Sequence, residues 1–378
     1  MRVIEDGIKG GERAKGGDTG DEEWKGERAG EEWGGCEGGG WVQEAVRLLD
    51  MAIVMAGALG REGMIEEVMS ALEGFVGGSE EGREPPRKRR RGLDDRFVTK
   101  GGDVPRITRP VLRRCALQLE EFEELLPEAK PVVIQGALTH WPALGERPWG
   151  SPAYLLGRTF GGRRLVPVEL GRSYTDAGWG QGIVTFGEFM DKYLLATSID
   201  GDGIGNCERV GYLAQHDLFA QIPSLRNDIA VPDYCYTDPP PPAPGTPMSL
   251  KNKLEKLEEP LLNAWFGPAG TVSPLHTDPY HNILCQVVGK KYVRLYSPSE
   301  SQKLYPKGVE DGGVDMSNTS EVDVEGDESL REERFPRFKE AEYLETVLGE
   351  GECVYIPMGW WHYVRSLTVS FSVSFWWN

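Results

Sequence analysis

Residues 283–296 read ILCQVVGKKYVRLY, which is two runs of β-forming side chains on either side of Gly289 and Lys290. Two such runs joined by a short glycine-containing turn predict a β-hairpin. Residues 369–375 read VSFSVSF, and this strict alternation predicts a strand with one apolar and one polar face. Many strands with few long helices predict a mainly β protein, a sandwich or barrel with surrounding helices.

The composition divides the rest of the chain. Residues 1–40 are rich in Gly and Glu and have too little apolar surface to offset the entropy of ordering, so they predict a disordered tail. Apolar residues then recur at helical spacing, which predicts a helical pair at 41–78 that packs on the main domain or binds a partner. A basic linker follows at 79–103. The main domain is predicted at 104–378, with a Gly- and Asp-rich insertion near 197–207 and a Pro-rich one near 239–247.

Charge and cysteine usage exclude several classes of protein. Asp and Glu number 60 against 42 Lys and Arg, a formal charge of −18, so the whole surface is not a nucleic-acid-binding one. The six cysteines include no CxxC pair, which favours free thiols in a reducing compartment. The longest apolar stretch is too short to cross a bilayer, so we expect a soluble, non-secreted protein with no membrane partner.

A basic pentamer stands in the linker: Arg87, Lys88, Arg89, Arg90 and Arg91. Such a run is typical of a nuclear import signal, which would place the protein in the nucleus and leave the cytoplasm open as a second location. Two alternatives remain from the sequence. The run could be a solvated charge cluster in a linker, or a local nucleic-acid tether.

The residues with the clearest chemical meaning are His276 and Asp278. They are two positions apart, so on an extended segment both side chains project to the same face and can share a metal ion. His362 is the best candidate for a third ligand, because it follows a second β-type run, at 353–357. Two histidines and one carboxylate leave open positions on a metal, which suits ferrous iron that must also bind a co-substrate and dioxygen. An isolated His-x-Asp is weak evidence by itself.

Five motifs of the C-terminal half resemble the jumonji C-domain oxygenases: WFGP (265–268), SPLHTDP (273–279), GKKYVRLYSP (289–298), WHYVR (361–365) and FSVSFWW (371–377). Upstream, VPR (104–106), HWP (140–142), VPVE (166–169), YTD (174–176) and GYLAQH (211–216) continue the resemblance, which covers about residues 104–378. The two insertions and Thr277 depart from the family pattern. The resemblance implies a double-stranded β-helix, a cupin-like jelly roll, that binds Fe(II) through His276, Asp278 and His362.

The same resemblance implies 2-oxoglutarate and O2 as co-substrates. Lys291 would neutralise the distal carboxylate of 2-oxoglutarate, and Tyr212, Ser273 and Asn282 would add hydrogen bonds. Without the resemblance, Lys291 would be interpreted as a solvated lysine at a strand edge. Tyr212, Ser273 and Asn282 would be ordinary polar residues of the core or of turns.

For the reaction, the resemblance implies oxidation of a protein side chain, either arginine hydroxylation or demethylation of N-methyl-lysine on a histone, which would make chromatin a partner. Two features favour arginyl hydroxylation. The sequence has no Cys/His cluster of the kind that forms a chromatin-reading finger, and Glu169 matches a position at which the family resemblance implies an acidic contact to a substrate arginine. Trp265 would wall the same pocket, where a guanidinium could stack. The alternative of another class is a non-catalytic cupin-like scaffold that binds partners through its helical pair.

The remaining histidines and the C-terminal tryptophans have simpler interpretations. We expect His140 and His216 to be satisfied core histidines. His281 is expected to be a structural or exposed neighbour of the metal site, because a residue three positions from Asp278 points elsewhere on an extended chain. Trp361, Trp376 and Trp377 are predicted to pack in the core and at sheet edges.

Overall fold

A computed structural model describes residues 40–58, 60–78, 96–97, 99, 103–175, 178–195, 210–242, 254–309 and 313–378. Four sequence predictions fall wholly or largely outside these ranges: the disordered tail, the basic pentamer and the two insertions. Nothing further is said of their structure.

Thirteen strands are formed by the described residues: β1 (Leu112–Cys115), β2 (Val132–Gln135), β3 (Leu165–Leu170), β4 (Gly180–Thr185), β5 (Gly211–His216), β6 (Leu261–Gly267), β7 (Val272–Thr277), β8 (His281–Val288), β9 (Lys291–Tyr296), β10 (Tyr343–Leu348), β11 (Glu352–Ile356), β12 (Trp361–Ser366) and β13 (Ser370–Trp377). The α-helices of the same ranges are α1 (Gly40–Ala56), α2 (Glu62–Gly78), α3 (Leu119–Leu125), α4 (Pro152–Arg158), α5 (Phe186–Phe189), α6 (Leu218–Gln221), α7 (Pro223–Arg226) and α8 (Glu328–Arg334).

The strands form two sheets that face each other. The larger has the order β1-β2-β11-β8-β13-β6-β5-β3-β4, and the smaller has the order β10-β9-β12-β7. From β6 onward the chain passes back and forth between the sheets, with one exception at β9 and β10, which are antiparallel neighbours in the smaller sheet. This is the strand pattern of a jelly roll, and the predicted cupin-like fold with surrounding helices is confirmed.

The predicted hairpin at 283–296 is wrong, although both of its strands exist. β8 pairs with β11 and β13 in the larger sheet, whereas β9 pairs with β10 and β12 in the smaller sheet. The connecting residues bond to the segment before β13 instead of closing a two-residue turn, since the Lys290 carbonyl accepts from Leu367 N at 2.8 Å. A Cβ on Gly289, whose φ is +74°, would overlap the Val369 backbone oxygen, so the crossing is made where no side chain intervenes.

The alternating strand β13 is buried on both faces, so its polar face is not a solvent face. Its apolar residues pack in the main core, on the side of the sheet that carries the helices. Its serines point into the space between the two sheets, where Ser372 donates to Gln286 Oε1 at 2.7 Å and Ser374 accepts from Trp265 Nε1 at 2.9 Å. The interior of the jelly roll therefore has a polar lining that can surround a ligand.

The helices α1 and α2 form an antiparallel pair, because Trp41 at the start of α1 contacts Phe75 near the end of α2, with ring centroids 5.6 Å apart. The pair packs on the jelly roll through an apolar cluster that includes Phe160. The Asp50 carboxylate, fully buried, accepts from Arg164 Nη2 at 2.7 Å and from the Leu165 amide at 2.7 Å. An ion pair and an apolar contact thus join the helical pair to the beginning of β3.

Two smaller points concern the cysteines and the lengths of the helices. Cys115, Cys235, Cys285 and Cys353, the cysteines that the described ranges contain, are all free thiols. Among the described helices there is none long and apolar enough to span a bilayer.

Candidate active site

Two histidines and an aspartate converge at one end of the smaller sheet. His276 near the end of β7 and His362 at the start of β12 are register partners on adjacent strands, and Asp278 directly follows β7. The Asp278 carboxylate lies 3.8 Å from His276 Nε2 and 3.4 Å from His362 Nε2. The three potential ligand atoms all lie within 4.8 Å of one another, which is the spacing that a single metal ion requires.

Backbone carbonyls orient both imidazole rings. His276 Nδ1 lies 2.7 Å from the Pro274 carbonyl oxygen, and His362 Nδ1 lies 3.0 Å from the Trp360 carbonyl oxygen. A carbonyl can only accept, so each Nδ1 carries a proton, which leaves Nε2, the nitrogen that faces Asp278, for a metal ion. Metal-binding histidines are held in this way by the partners of their second nitrogen.

Burial sets the charge of this cluster. Burial, with the neighbouring His362, lowers the pKa of His276 to about 4, so its imidazole is neutral at physiological pH. Burial alone would raise the pKa of Asp278, but its interactions with His362 and His276 hold it below its usual value. The cluster therefore offers a neutral His276 imidazole and an ionised carboxylate, which are the forms that bind a divalent metal.

A buried lysine lies deeper along the same sheet. Lys291 is 1% exposed and stands opposite Ser366, four residues along β12 from His362, or about 13 Å along the strand. Its Nζ donates to the Tyr212 hydroxyl at 3.2 Å, and no carboxylate pairs with it among the described residues. Burial lowers the pKa of Lys291 to about 7. Such a cation is costly unless an anion comes to it.

Neutral polar groups surround this lysine. Burial raises the pKa of Tyr212, while a hydrogen bond with Ser273 opposes the rise, so Tyr212 links the Lys291 ammonium to β7. Ser273 faces Val364 in the strand register, between the levels of His362 and Lys291. The structure thus connects Lys291, Tyr212 and Ser273 in one chain of contacts.

Two polar atoms in this interior lack a partner within the described residues. Asn282 on β8 has a buried side-chain oxygen with no hydrogen bond, and its register partner on β13, Trp376, has a buried indole N–H with none. Trp376 was predicted to be a packing residue, and it does stack on Tyr280. Trp376 is two positions from Ser374, so the alternation at 369–375, continued by one step, predicts that both side chains lie on the same face of the strand.

The two residues predicted to bind substrate lie on either side of Tyr212. Glu169 on β3 is the register partner of Tyr212, and the Trp265 ring centroid is 6.1 Å from that of Tyr212. Burial raises the pKa of Glu169, and the Trp179 indole N–H opposes this rise. Burial raises the pKa of Tyr174 to about 12, and the charges of Asp278 and Glu169 add to this rise. Tyr174 carried no assigned role in the sequence.

Three histidines lie outside this cluster. His281 is buried with its Nδ1 2.8 Å from the Tyr355 hydroxyl, which makes it a structural neighbour. His216 is half-buried, with Nε2 2.7 Å from Gln221 Oε1, and so is a satisfied histidine at the edge of the core. The prediction for His140 is wrong: its side chain is exposed, because it lies in the turn after β2, outside the core.

A jelly roll whose interior holds two histidines, a carboxylate and a buried lysine is the architecture of a cupin-type metalloenzyme. The family described as "Cupin-like domain" matches residues 118–378. The chain belongs to the jumonji C branch of this family, and is by family a 2-oxoglutarate-dependent dioxygenase.

Three relatives show how far the similarity extends. The chain is 40% identical to lysine-specific demethylase 8 of Danio rerio over 89% of this chain and 75% of the relative. It is 39% identical to the protein of the same name in Xenopus tropicalis, over 91% and 79%. It is 38% identical to jumonji C domain-containing protein 5 of Drosophila melanogaster, over 74% and 61%.

Proposed function

We propose that this protein uses Fe(II), bound by His276, Asp278 and His362, to oxidise a side chain of a protein substrate. The convergence of the three ligand atoms, with both Nε2 atoms facing the carboxylate, carries this proposal. When bound, Fe(II) with 2-oxoglutarate and O2 supplies the oxidising chemistry that inserts one oxygen atom into a C–H bond and leaves succinate and CO2.

Lys291, in this proposal, binds the distal carboxylate of 2-oxoglutarate. A 1%-exposed cation whose one hydrogen-bond partner among the described residues is a phenol has an unused capacity for an anion. The hydroxyls of Tyr212 and Ser273 hold the ammonium in place, and Asn282 adds a polar group at the same interior. These groups orient the co-substrate, and their burial excludes water from it.

Arginine is the side chain that the pocket fits best. Glu169 offers a half-buried carboxylate and is the register partner of Tyr212, which contacts Lys291, so a bound cation would lie beside the proposed co-substrate site. The planar guanidinium can pair with a carboxylate and stack on an aromatic ring, and the Trp265 indole lies against Tyr212, the register partner of Glu169. Arginyl hydroxylation is therefore the main candidate reaction.

A second candidate, demethylation of N-methyl-lysine, is favoured by the names of the Danio and Xenopus relatives. The same reaction chemistry at an N-methyl group gives an unstable carbinolamine that loses the methyl group as formaldehyde. A methyl-ammonium would also interact with Glu169 and the aromatic walls. If the substrate is a histone tail, chromatin is a partner of this protein.

The test is mass spectrometry of peptides incubated with the protein, Fe(II), ascorbate and 2-oxoglutarate. One peptide set contains arginine, the other contains methyl-lysine, and His276→Ala is the blank. A gain of one oxygen on arginine supports hydroxylation, and a loss of one methyl group supports demethylation. Succinate no greater than in the blank, with both peptides unchanged, would leave the non-catalytic scaffold as the better explanation.

Glu169→Gln then tests the substrate pocket. We expect it to raise the KM for an arginine peptide by about tenfold or more while the KM for 2-oxoglutarate changes little, since only the contact to the cation is lost. Glu146→Gln is the matched control, because Glu146 is exposed on the surface. Equal KM values for the two variants would remove Glu169 from the pocket.

The location remains a proposal based on the basic pentamer, residues 87–91, which the structure does not describe. A fluorescent fusion of the full chain should accumulate in nuclei, and replacement of the five basic residues by alanine should return it to an even distribution. An unchanged nuclear signal in the alanine variant would contradict a role for the pentamer.

A further inference from the structure

His281, at the start of β8, is a buried histidine that the proposed chemistry does not use. Its side chain is 4% exposed. The imidazole lies nearly parallel to the Tyr355 ring, with centroids 5.9 Å apart and 9° between the planes, and its centroid is 5.5 Å from that of the Trp377 ring. A polar ring among aromatic neighbours costs free energy unless its nitrogens are hydrogen-bonded. The partners of those nitrogens therefore indicate what this histidine does.

One nitrogen of His281 accepts hydrogen bonds from two groups. Its Nδ1 lies 2.8 Å from the Tyr355 hydroxyl oxygen and accepts from the Met358 amide at 3.4 Å. An amide N–H can only donate, so Nδ1 carries no proton and the Tyr355 hydroxyl donates to it as well. Burial lowers the pKa of His281 to about 4, so the ring is neutral and keeps this accepting nitrogen at physiological pH. His276 and His362 have the opposite tautomer, with a proton on Nδ1.

The turn at 357–360 leads directly to a metal ligand. It connects β11 in the larger sheet to β12 in the smaller sheet. The Gly359 amide donates to the Asp278 carbonyl at 3.2 Å, and the Trp360 carbonyl accepts from His362 Nδ1 at 3.0 Å. The middle of the turn is thus bonded to the backbone of one metal ligand, and its end orients the ring of a second.

We propose that His281 is a positioning residue for the metal site, which acts on His362 through the 357–360 turn. This role depends on the proposed metal site and adds to it a residue that binds no metal. Groups that hold the second nitrogen of a metal-binding histidine strongly affect metal affinity. The Trp360 carbonyl is that group for His362, and His281 determines where this carbonyl lies.

Two adjacent amides fix the orientation of the turn. The Met358 amide is bonded to His281, and the Gly359 amide is bonded to a backbone carbonyl. A turn held by the second of these bonds alone can rotate about it. Such a rotation moves the Trp360 carbonyl and turns His362 Nε2 away from the carboxylate with which it shares the metal.

The probe is Co(II) alone, titrated into the metal-free full chain and followed by its d–d absorption. His281→Leu removes both hydrogen bonds at Nδ1, whereas Tyr355→Phe, the matched control, removes only the bond between the two side chains. We expect His281→Leu to weaken Co(II) binding about tenfold and Tyr355→Phe to bind as the unaltered chain does. His281→Asn has an oxygen in place of Nδ1, so it should recover binding to within about threefold of the unaltered chain.

Hydrogen–deuterium exchange of the metal-free protein tests the turn directly. In a peptide that contains Met358 and Gly359, we expect the amides to exchange about tenfold faster in His281→Leu and at the unaltered rate in Tyr355→Phe. The thermal unfolding midpoint should fall in both variants, because both lose the buried bond between the side chains. If His281→Leu does not fold, His281→Met provides the same comparison, because methionine adapts to irregular spaces in a core.

Co(II) affinity in His281→Leu equal to that of the unaltered chain would overturn the proposal, and so would an equal loss in Tyr355→Phe. A loss that His281→Asn does not recover, with unchanged exchange in the turn, would also overturn it, in favour of a role in core packing alone. The proposed metal site itself is contradicted by a different result, an unaltered chain that binds Co(II) no more tightly than His276→Ala does. The two failures are therefore distinguishable.

Discussion

Two regions of this molecule bury a charged side chain, and they treat it in opposite ways. At the joint between the helical pair and the jelly roll, the Asp50 carboxylate accepts from Arg164, from the Leu165 amide and from Gln221 Nε2 at 2.8 Å. Inside the jelly roll, the Lys291 ammonium donates only to Tyr212, at 3.2 Å, with no carboxylate near it in the described ranges. Both side chains are almost completely inaccessible to solvent.

The different surroundings of Asp50 and Lys291 distinguish a charge that stabilises the fold from a charge that binds a ligand. A buried ion whose hydrogen-bonding capacity is filled by its own protein holds two elements together, and it has nothing left for a ligand. A buried ion that lacks a counter-ion costs stability and is retained for what it binds. The region around Asp50 should therefore respond to mutation in stability, and the region around Lys291 in ligand binding.

The largest expected effect is that of Asp50→Asn. The amide would present N–H groups to Arg164 and leave that guanidinium buried without a counter-ion, so we expect the free energy of unfolding to fall by about 3–5 kcal/mol. Urea denaturation followed by tryptophan fluorescence measures it. Glu44→Gln on the same helix removes an exposed ion pair and should cost only about 0.3–0.5 kcal/mol. Similar losses in the two variants would show that the buried pair is not what joins the regions.

Lys291→Met should reverse this pattern. We expect the KM for 2-oxoglutarate to rise about 100-fold, because the distal carboxylate loses its cation, while the thermal unfolding midpoint stays the same or rises. Succinate production and differential scanning fluorimetry measure the two effects. Lys290→Met is a matched control, because the side chain of this neighbouring lysine is exposed. A 2-oxoglutarate KM that changes as much in Lys290→Met would contradict the assignment.

The same comparison explains what the sequence could reveal. The spacing of His276 and Asp278 suggested a metal site with His362 as third ligand, the resemblance to a known family strengthened this and added Lys291, and the structure brings the three metal ligands together. Local pattern alone correctly located the strands at 283–296 but paired them with each other, because a short glycine turn looks the same in a hairpin and in a crossing between sheets.

Contacts distant in sequence were beyond prediction. Asp50 is a polar residue within an apolar helical stripe, and only its partner Arg164, 114 residues away, explains why it is buried. The serines of β13 were predicted to form a polar face, but the sequence could not show that this face lines an interior that the smaller sheet covers. Periodicity identifies a face of an element, and tertiary packing decides what that face meets.

The titration of Lys291 should have a smaller effect: the affinity for 2-oxoglutarate should change by about tenfold per pH unit. Burial lowers the pKa of Lys291 to about 7, so above that pH the ligand-free protein must take up a proton to bind the dianion. We expect calorimetric affinity of the Mn(II)-loaded protein for 2-oxoglutarate to fall as the pH rises from 7 to 9. The unfolded chain keeps its lysine proton in this range, so the free energy of unfolding should rise with pH over the same interval.

Lys291→Arg provides the control for this titration, because arginine stays protonated throughout the range. Its affinity for 2-oxoglutarate should be lower than that of the unaltered chain at pH 7 and should vary little up to pH 9. If the two proteins have the same pH profile, another group is responsible for the dependence.

The smallest expected effect concerns Ser372, which is as buried inside the jelly roll as Lys291 but has its one donor bonded to the protein. Its hydroxyl donates to Gln286 Oε1 at 2.7 Å, while Gln286 Nε2 donates to Ser370 Oγ at 2.8 Å. Ser372→Ala would leave the Gln286 oxygen without a donor, so we expect the free energy of unfolding to fall by about 1–2 kcal/mol. The KM for 2-oxoglutarate should not change, because a satisfied polar group has no capacity left for a ligand. Ser299→Ala, at an exposed serine, should alter neither quantity, and a raised KM in Ser372→Ala alone would show that hydrogen-bond saturation does not separate structural from binding groups in this interior.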